Sequence, residues 1–207
     1  MNKRLKWLII ALAVFGLIAI YQHWTKPKPL PMIVGPFAYL GKVSAQKVTE
    51  VAGGQGTLVI WHPTYQMRAE RSDAVLAGFR SAIKEAGGLT ISAEEQDAVA
   101  MDPMSGEMKS SDVGGQRLLE LLAKHSTADL LVLIGGLPDF HGVDVSQLGG
   151  RYPKVFFVKL GGPPIRSSVS THPLFGGAIV NRLDAPTTSP QTEAERVDAY
   201  YEYIAPR

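Results

Sequence analysis

Short apolar runs alternate with amphipathic stretches along most of the chain. The apolar runs are rich in β-branched residues, which is typical of strands buried on both faces. They cover 57–62, 89–92, 130–136, 154–162 and 178–183. Between them, apolar residues at helical spacing predict helices over 37–51, over 69–86 and up to Lys124, the last preceded by possible capping residues at 110–112.

The carboxyl-terminal stretch SPQTEAERVDAYYEYIAP predicts a further helix. Ser189 or Thr192 would cap it. Its apolar side would comprise Val197, Tyr200, Tyr201 and Ile204. Because Tyr200, Tyr201 and Tyr203 cannot all face inward, at least one tyrosine is expected on the surface, where tyrosine favours an interface.

Strands that alternate with helices predict a parallel sheet covered on both faces. We therefore expect an α/β fold with a doubly wound, mainly parallel five-stranded sheet of the flavodoxin-like or Rossmann-like kind. The expected strand order is 2-1-3-4-5, with a topological switch point between the first and third strands.

The amino-terminal segment carries an apolar run of another kind. Residues 7–24 run from Trp7 to Trp24, and their apolar part contains no charge. At 1.5 Å per residue a helix of this length spans about 27 Å, close to the roughly 30 Å of a bilayer core. The flanking tryptophans suit the membrane interface. We expect a transmembrane helix that binds the bilayer.

A cleaved signal peptide is the alternative for this segment. Cleavage needs small residues after the apolar core, but the residues from Ile20 to Trp24 are large, so an uncleaved anchor is favoured. Lys3, Arg4 and Lys6 precede the run and favour a cytoplasmic amino terminus. The rest of the chain would then lie in the periplasm or an equivalent extracytoplasmic space.

The expected organisation has four parts. Residues 1–6 form a basic cytoplasmic tail and 7–24 the transmembrane helix. Residues 25–36 are rich in proline and predict an extended, semi-rigid spacer. Residues 37–207 would form the extracytoplasmic α/β domain.

Composition narrows the function classes. The chain has 21 basic and 19 acidic residues, and three of the basic ones precede the apolar run, so the remainder is close to neutral. Nucleic-acid binding, which needs a basic face, is therefore not expected. The chain has no cysteine, which excludes disulfides, cysteine-bound clusters and thiol catalysis.

The segment RAERSDAVLAGFRSAIKEAGGLTI, with a buried strand before it and ADLLVLIGG after it, resembles one lobe of a type I periplasmic binding protein. The matching residues are Gly78, Phe79, Ala82 and Gly87. The resemblance covers about 57–183 and implies a binding-type lobe. The sequence departs from the family after Leu183, because the 24 residues that remain cannot build the second lobe that closes over a ligand.

The loops after the predicted strands bring polar side chains to one rim, where ligands of open parallel sheets lie. These residues are His62, Tyr65, Arg68, Asp139, His141, Arg166, Ser167 and Ser168, and His172 could join them. They allow three interpretations. The third is that they are ordinary loop residues, or that the rim contacts another protein; the first two involve a metal ion or a small ligand.

In the first interpretation His62 and His141, with Asp139 or His172, hold a metal ion, although the sequence has no closely spaced histidine pair. In the second, the rim binds a small molecule or anion through Arg68, Arg166 and backbone N–H groups.

No catalytic motif accompanies the rim: GxSxG, HExxH and a nucleophile beside a base are all missing from the sequence. We expect no enzyme, no metal and no cofactor. Residues suited to docking partners lie elsewhere: they are Trp7, Trp24, Met101, Met104, Met108, Tyr200 and Tyr203.

These features lead to two hypotheses. The first is a non-catalytic, membrane-anchored accessory or scaffolding subunit of a larger complex of integral membrane proteins, with an energy-converting complex as one candidate. The alternative is a membrane-tethered lobe that senses a small molecule or anion.

Overall fold

The computed structural model describes residues 35–65, 70–99, 112–160, 170–182, 184 and 190–207. They belong to one compact unit, Val34–Arg207. The predicted transmembrane segment, the basic tail and all but the last two residues of the predicted spacer lie outside these residues. Within the described part of the chain, no helix has the length and apolar character needed to cross a bilayer.

The described residues form four helices and six strands. The helices are α1 (Gly35–Val51), α2 (Glu70–Ala86), α3 (Gly115–Lys124) and α4 (Glu193–Tyr200). The strands are β1 (Gly56–Tyr65), β2 (Leu89–Val99), β3 (Leu130–Ile134), β4 (Lys154–Val158), β5 (Phe175–Asn181) and β6 (Tyr201–Ile204). Two 3-10 turns, Phe140–Gly142 and Val145–Leu148, lie between β3 and β4.

The strands form one sheet with the order β2-β1-β3-β4-β5-β6. The first five strands are parallel, as predicted, and in the predicted order. The expectation of five strands is wrong, because β6 adds a sixth to the described sheet and runs antiparallel to β5.

The sheet has a hydrophobic core on each side. Leu58 and Ile60 of β1 face α1, α2 and α4, and we call this side the α1–α2 face. Val59 and Trp61 point to the other side, the α3 face, where α3 and the two 3-10 turns cover the sheet. Alternate residues of β1 are thus buried on opposite sides, as its continuous apolar run predicts.

A β-bulge interrupts the pairing of β1 with β2. The register shifts between Leu58 and Val59, and Ser92 is the extra residue of β2. The Ser92 hydroxyl donates to the Leu58 carbonyl at 3.1 Å. Beyond the bulge, Glu94 reaches Arg80 of α2, and Asp97 reaches Arg117 of α3. The acidic end of this edge strand is therefore fixed to a helix on each face.

Helices α1 and α2 pack with their backbones in contact. A Cβ atom at Gly78 of α2 would lie 2.0 Å from the Ala38 carbonyl oxygen, and one at Gly41 of α1 would lie 2.1 Å from that of Val75. Real Cβ atoms essentially never come closer than 3.0 Å to another heavy atom. This helix crossing therefore requires glycine at both positions.

The helix predicted at the carboxyl terminus is present, but its predicted end is wrong. Thr192 caps α4 as expected, and it forms a capping box with Glu195. The helix ends at Tyr200, however, and Tyr201–Ile204 form β6. The sequence Tyr-Glu-Tyr-Ile has high β propensity, and pairing with β5 satisfies its backbone groups, so the strand replaces a continued helix.

Strand β6 lies at the edge of the described sheet. The Arg182 backbone N–H donates to the Tyr200 carbonyl at 2.8 Å. Hydrogen-bonded and non-bonded pairs alternate in an antiparallel ladder, so the Tyr201 carbonyl points away from β5. The Arg182 side chain turns around the edge, and its Nε donates to this carbonyl at 3.1 Å.

Other details of the elements also differ from the predictions. Strand β2 continues to Val99, past the polar residues that obscured it in the sequence. Helix α3 has Gly114 as its N-cap, with no side-chain hydrogen bond. Asp112, a predicted cap, instead accepts the Leu137 N–H at 3.3 Å.

Candidate functional site at the carboxyl edge of the sheet

The topological switch point lies between β1 and β3. After β1 the chain passes to α2 on the α1–α2 face, and after β3 it passes to the 3-10 turns on the α3 face. The connections thus part on opposite sides of the sheet, which is where open α/β sheets bind ligands. The sequence predicts the rim at this carboxyl edge, of which the segments 66–69, 100–111 and 161–169 are outside the described residues.

Part of the sheet projects at this edge. Strand β3 pairs with β1 only over Leu58–Trp61, whereas β1 and β2 stay paired up to Tyr65 and Val99. Residues 62–65 and 96–99 therefore form a two-stranded extension, which we call the β1–β2 ribbon. At about 3.3 Å per residue it extends about 13 Å and forms one side of the switch point.

A hydrogen-bonded cluster holds the ribbon on the α3 face. Arg117 of α3 donates twice to Asp97, at 2.8 Å to each carboxylate oxygen. The Trp61 Nε1 donates to the same carboxylate at 2.9 Å. The bond from Arg117, followed by the bond from Trp61, keeps the pKa of Asp97 below its usual value. The cluster remains ionised and joins β1, β2 and α3 over a wide pH range.

His62 lies at the base of the ribbon on the α1–α2 face. Only 7% of the residue is exposed, and its Nε2 atom is buried with no hydrogen-bond partner among the described residues. Burial lowers the pKa of the imidazole, opposed chiefly by a hydrogen bond to the Pro63 backbone. The side chain predicted for the rim is therefore inside the protein and neutral at pH 7.

Lys159 follows β4 directly and is also only 7% exposed. Its backbone N–H donates to the Ile179 carbonyl at 2.9 Å. Burial lowers the pKa of its ammonium group, and the Asp112 carboxylate opposes this shift. The carboxyl edge thus contains a buried cation near an exposed anion, which the sequence analysis missed. The sequence does contain a signal for this cation. Val155 and Phe157, two residues apart, are buried on one face of the sheet, and Lys159 is the next residue at the same spacing.

The segment after β3 is tied to the start of α3. Val113 donates to the Leu137 carbonyl at 2.7 Å, and the Asp139 N–H donates to the Val113 carbonyl at 2.9 Å. Asp139 also accepts the His141 N–H at 3.1 Å and so caps the first 3-10 turn. Asp139 and His141, both predicted for the rim, are exposed. Asp139 has a local structural role as the cap of this turn.

The other predicted rim residues are only partly placed. Tyr65 ends β1, and its side chain is not among those described; Arg68, Arg166, Ser167 and Ser168 lie outside the described residues. His172 precedes β5, and the charge of His141, a predicted rim residue, acts on its imidazole. Its ring stacks on Phe140 with centroids 4.8 Å apart.

The sheet also separates the side chains of the metal interpretation. His62 lies on the α1–α2 face, whereas His172 packs on Phe140 of the α3 face. Among the residues that the structure describes, no three histidine, aspartate or glutamate side chains form a group that could hold a metal ion.

The predicted docking tyrosines lie elsewhere on the domain. Tyr200 is 47% exposed and Tyr203 is 36% exposed, and they are the large exposed hydrophobic residues of the described chain. Tyr203 stacks on Phe156 and lies beneath the Lys47 ammonium, 5.4 Å from its ring centre. It borders a groove of about 370 Å³ between α1, α4 and β6. Trp7, Trp24, Met101, Met104 and Met108 are outside the described residues.

No protein-family model and no curated protein sequence matches the chain. Solved structures do match it. The glucose-galactose binding protein GanP from Geobacillus stearothermophilus is 16% identical with a TM-score of 0.47, over 70% of this chain and 47% of its own. The arabinose binding protein AraP from the same organism is 13% identical with a TM-score of 0.45, over 69% and 45%.

An ABC transporter solute binding protein from Burkholderia graminis, in complex with D-arabinose, is 14% identical with a TM-score of 0.47, over 69% of this chain and 46% of its own. The chain spans about half the length of these structures. The sequence indicates a resemblance to one lobe of a type I periplasmic binding protein. The matches to these solved sugar-binding proteins show the same resemblance.

Proposed function

We propose that this α/β lobe binds a small polar or anionic ligand at the carboxyl edge of its sheet, and that it does so tethered to a membrane on the extracytoplasmic side. The tether is the apolar segment 7–24, and the lobe would report or present its ligand to a partner protein. The proposal takes the alternative hypothesis of the sequence analysis as the better one.

The observation that carries the proposal is Lys159 at the end of β4, a lysine of which only 7% is exposed. Removing a cation from water costs free energy, and an apolar side chain would serve packing better at this position. A cation in a site of low dielectric interacts strongly with a polar or charged ligand. Lys159 has a lowered pKa, lies near the Asp112 carboxylate and stands at the end of a strand. This combination is typical of a binding site.

A thermal-shift screen of the full-length protein in mild detergent tests this proposal. The probes are neutral sugars, sugar acids, sugar phosphates and amino acids. One class should raise the melting temperature of the wild type, and Lys159→Met should lose that shift. Lys84→Met is the matched control, because Lys84 is an exposed lysine of α2 and its replacement should leave the shift intact. An equal shift in Lys159→Met would exclude the proposed site.

A second candidate function is the accessory subunit. It is favoured by two exposed tyrosines, Tyr200 and Tyr203, of which Tyr203 borders the groove. Extraction in mild detergent, native electrophoresis and mass spectrometry would test it. Co-migration with integral membrane proteins, reduced in a Tyr200→Ser, Tyr203→Ser variant, supports this function, whereas migration as a lone monomer opposes it.

A further inference from the structure

His62 combines burial with an unsatisfied polar atom. Nearly all buried polar atoms in proteins have a hydrogen-bond partner, so one without a partner calls for an explanation. The imidazole Nε2 is such an atom among the described residues. In the neutral ring this atom is tolerated at a modest cost, but in the protonated ring it would be a charged donor without an acceptor.

The charged groups around His62 do not offer that acceptor freely. Those that act on it are Asp73 and Arg80 of α2 and Glu94 of β2. Arg80 holds both oxygens of Glu94, at 2.9 and 2.5 Å, so this carboxylate is already used. Asp73 is exposed to solvent. Burial is the largest influence on the His62 pKa and lowers it.

The position of His62 decides what its protonation would move. It is the first β1 residue beyond the pairing with β3, so it lies where the β1–β2 ribbon begins. On the α3 face the ribbon is held by the Asp97 cluster. On the α1–α2 face its first residue, His62, is buried, and the Arg80–Glu94 pair fixes β2 to α2 just before the ribbon begins. Among the described residues the ribbon has no third strand beside it, unlike Leu58–Trp61, and regions with fewer contacts open most readily.

We propose that protonation of His62 releases the β1–β2 ribbon (62–65 and 96–99) from α2, so that the switch-point edge opens in acid. The imidazolium reaches solvent or the Asp73 carboxylate only if the ribbon moves away from the helix. The Asp97 cluster stays ionised and acts as the hinge on the other face. This inference holds whether or not the edge binds a ligand.

Hydrogen exchange measured by mass spectrometry on the full-length protein in detergent, at pH 7.5 and 5.0, tests the inference. After correction for the intrinsic pH dependence of exchange, the ribbon amides should exchange faster as the pH falls below 6.5, by up to about tenfold per pH unit, until the lower folded-state pKa of His62 is reached. Strand β3 is the internal reference and should keep its protection. His62→Leu should abolish the response, and His172→Gln should retain it.

Two results would overturn the proposal: a ribbon whose corrected exchange is the same at both pH values, or a response that persists in His62→Leu. If that variant does not fold, NMR titration of the wild-type histidines decides. A His62 pKa at or above 6.5, or titration without chemical-shift changes in the ribbon, contradicts the proposal.

Discussion

Replacing Gly78 by alanine sets two opposite effects against each other in α2. Alanine favours a helix over glycine by about 1 kcal/mol, so propensity alone predicts a more stable protein. The new Cβ atom, however, would lie 2.0 Å from the Ala38 carbonyl oxygen, and real Cβ atoms essentially never come within 3.0 Å. The two helices would therefore have to separate by about 1 Å, which weakens their dispersion contacts.

The steric effect should win. Overpacking a core costs about 1–3 kcal/mol, and the upper part of this range applies because the neighbour is backbone rather than a flexible side chain. After the gain in propensity is subtracted, a net loss of about 1–2 kcal/mol remains. For a domain of this size the melting temperature should fall by about 2–8 °C.

Thermal unfolding of the full-length protein measures this loss. Ala77→Gly is the matched control, because Ala77 is exposed on the same helix and its replacement should cost about 1 kcal/mol through propensity alone. Gly41→Ala added to Gly78→Ala should cost less than the sum of the two, since one separation relieves both contacts. A Gly78→Ala protein that melts at or above the wild-type temperature would refute the close contact.

Three other predictions follow from local contacts. Asp97→Asn should cost about 1 kcal/mol in thermal unfolding, allowing for partial exposure, and the cost should shrink in an Arg117→Met background because the lost bonds are shared. Thr192→Ala should cost about 1 kcal/mol, whereas Thr192→Ser should be nearly neutral because it keeps the cap. Burial lowers the pKa of His172, so the unfolded chain takes up its proton first. Stability should therefore be full above pH 6.5 and fall as the pH drops toward the folded-state pKa, and His172→Gln should reduce the decline between pH 7.5 and 5.5.

The strand order could be predicted because it depends on features that the sequence displays. Apolar runs mark the parallel strands, and alternation with helices limits their arrangement. Strand β6 could not be predicted in the same way. Val197, Tyr200 and Tyr201 are spaced as on one helix face, so the sequence gives no sign that the helix ends at Tyr200 and a strand begins. Pairing with β5, a contact between distant segments, decided between the two.

The candidate site was less predictable for a similar reason. His62 is the last residue of the predicted strand 57–62, and the sequence does not reveal that β1 extends past it and buries its ring. Lys159 was hidden within an apolar run, where a lone lysine reads as an interruption. Asp97 and Arg117 are 20 positions apart, and only the bulge at Ser92 brings the carboxylate to the correct face.

The bond between the Arg182 side chain and the Tyr201 carbonyl has a consequence for solubility. An edge strand with free outward carbonyls can recruit strands from other molecules and start aggregation. Here a guanidinium already occupies one of these carbonyls and places a charge where an incoming strand would pair. Arg182→Met should therefore leave the fold intact but raise the rate at which concentrated protein aggregates, as measured by light scattering.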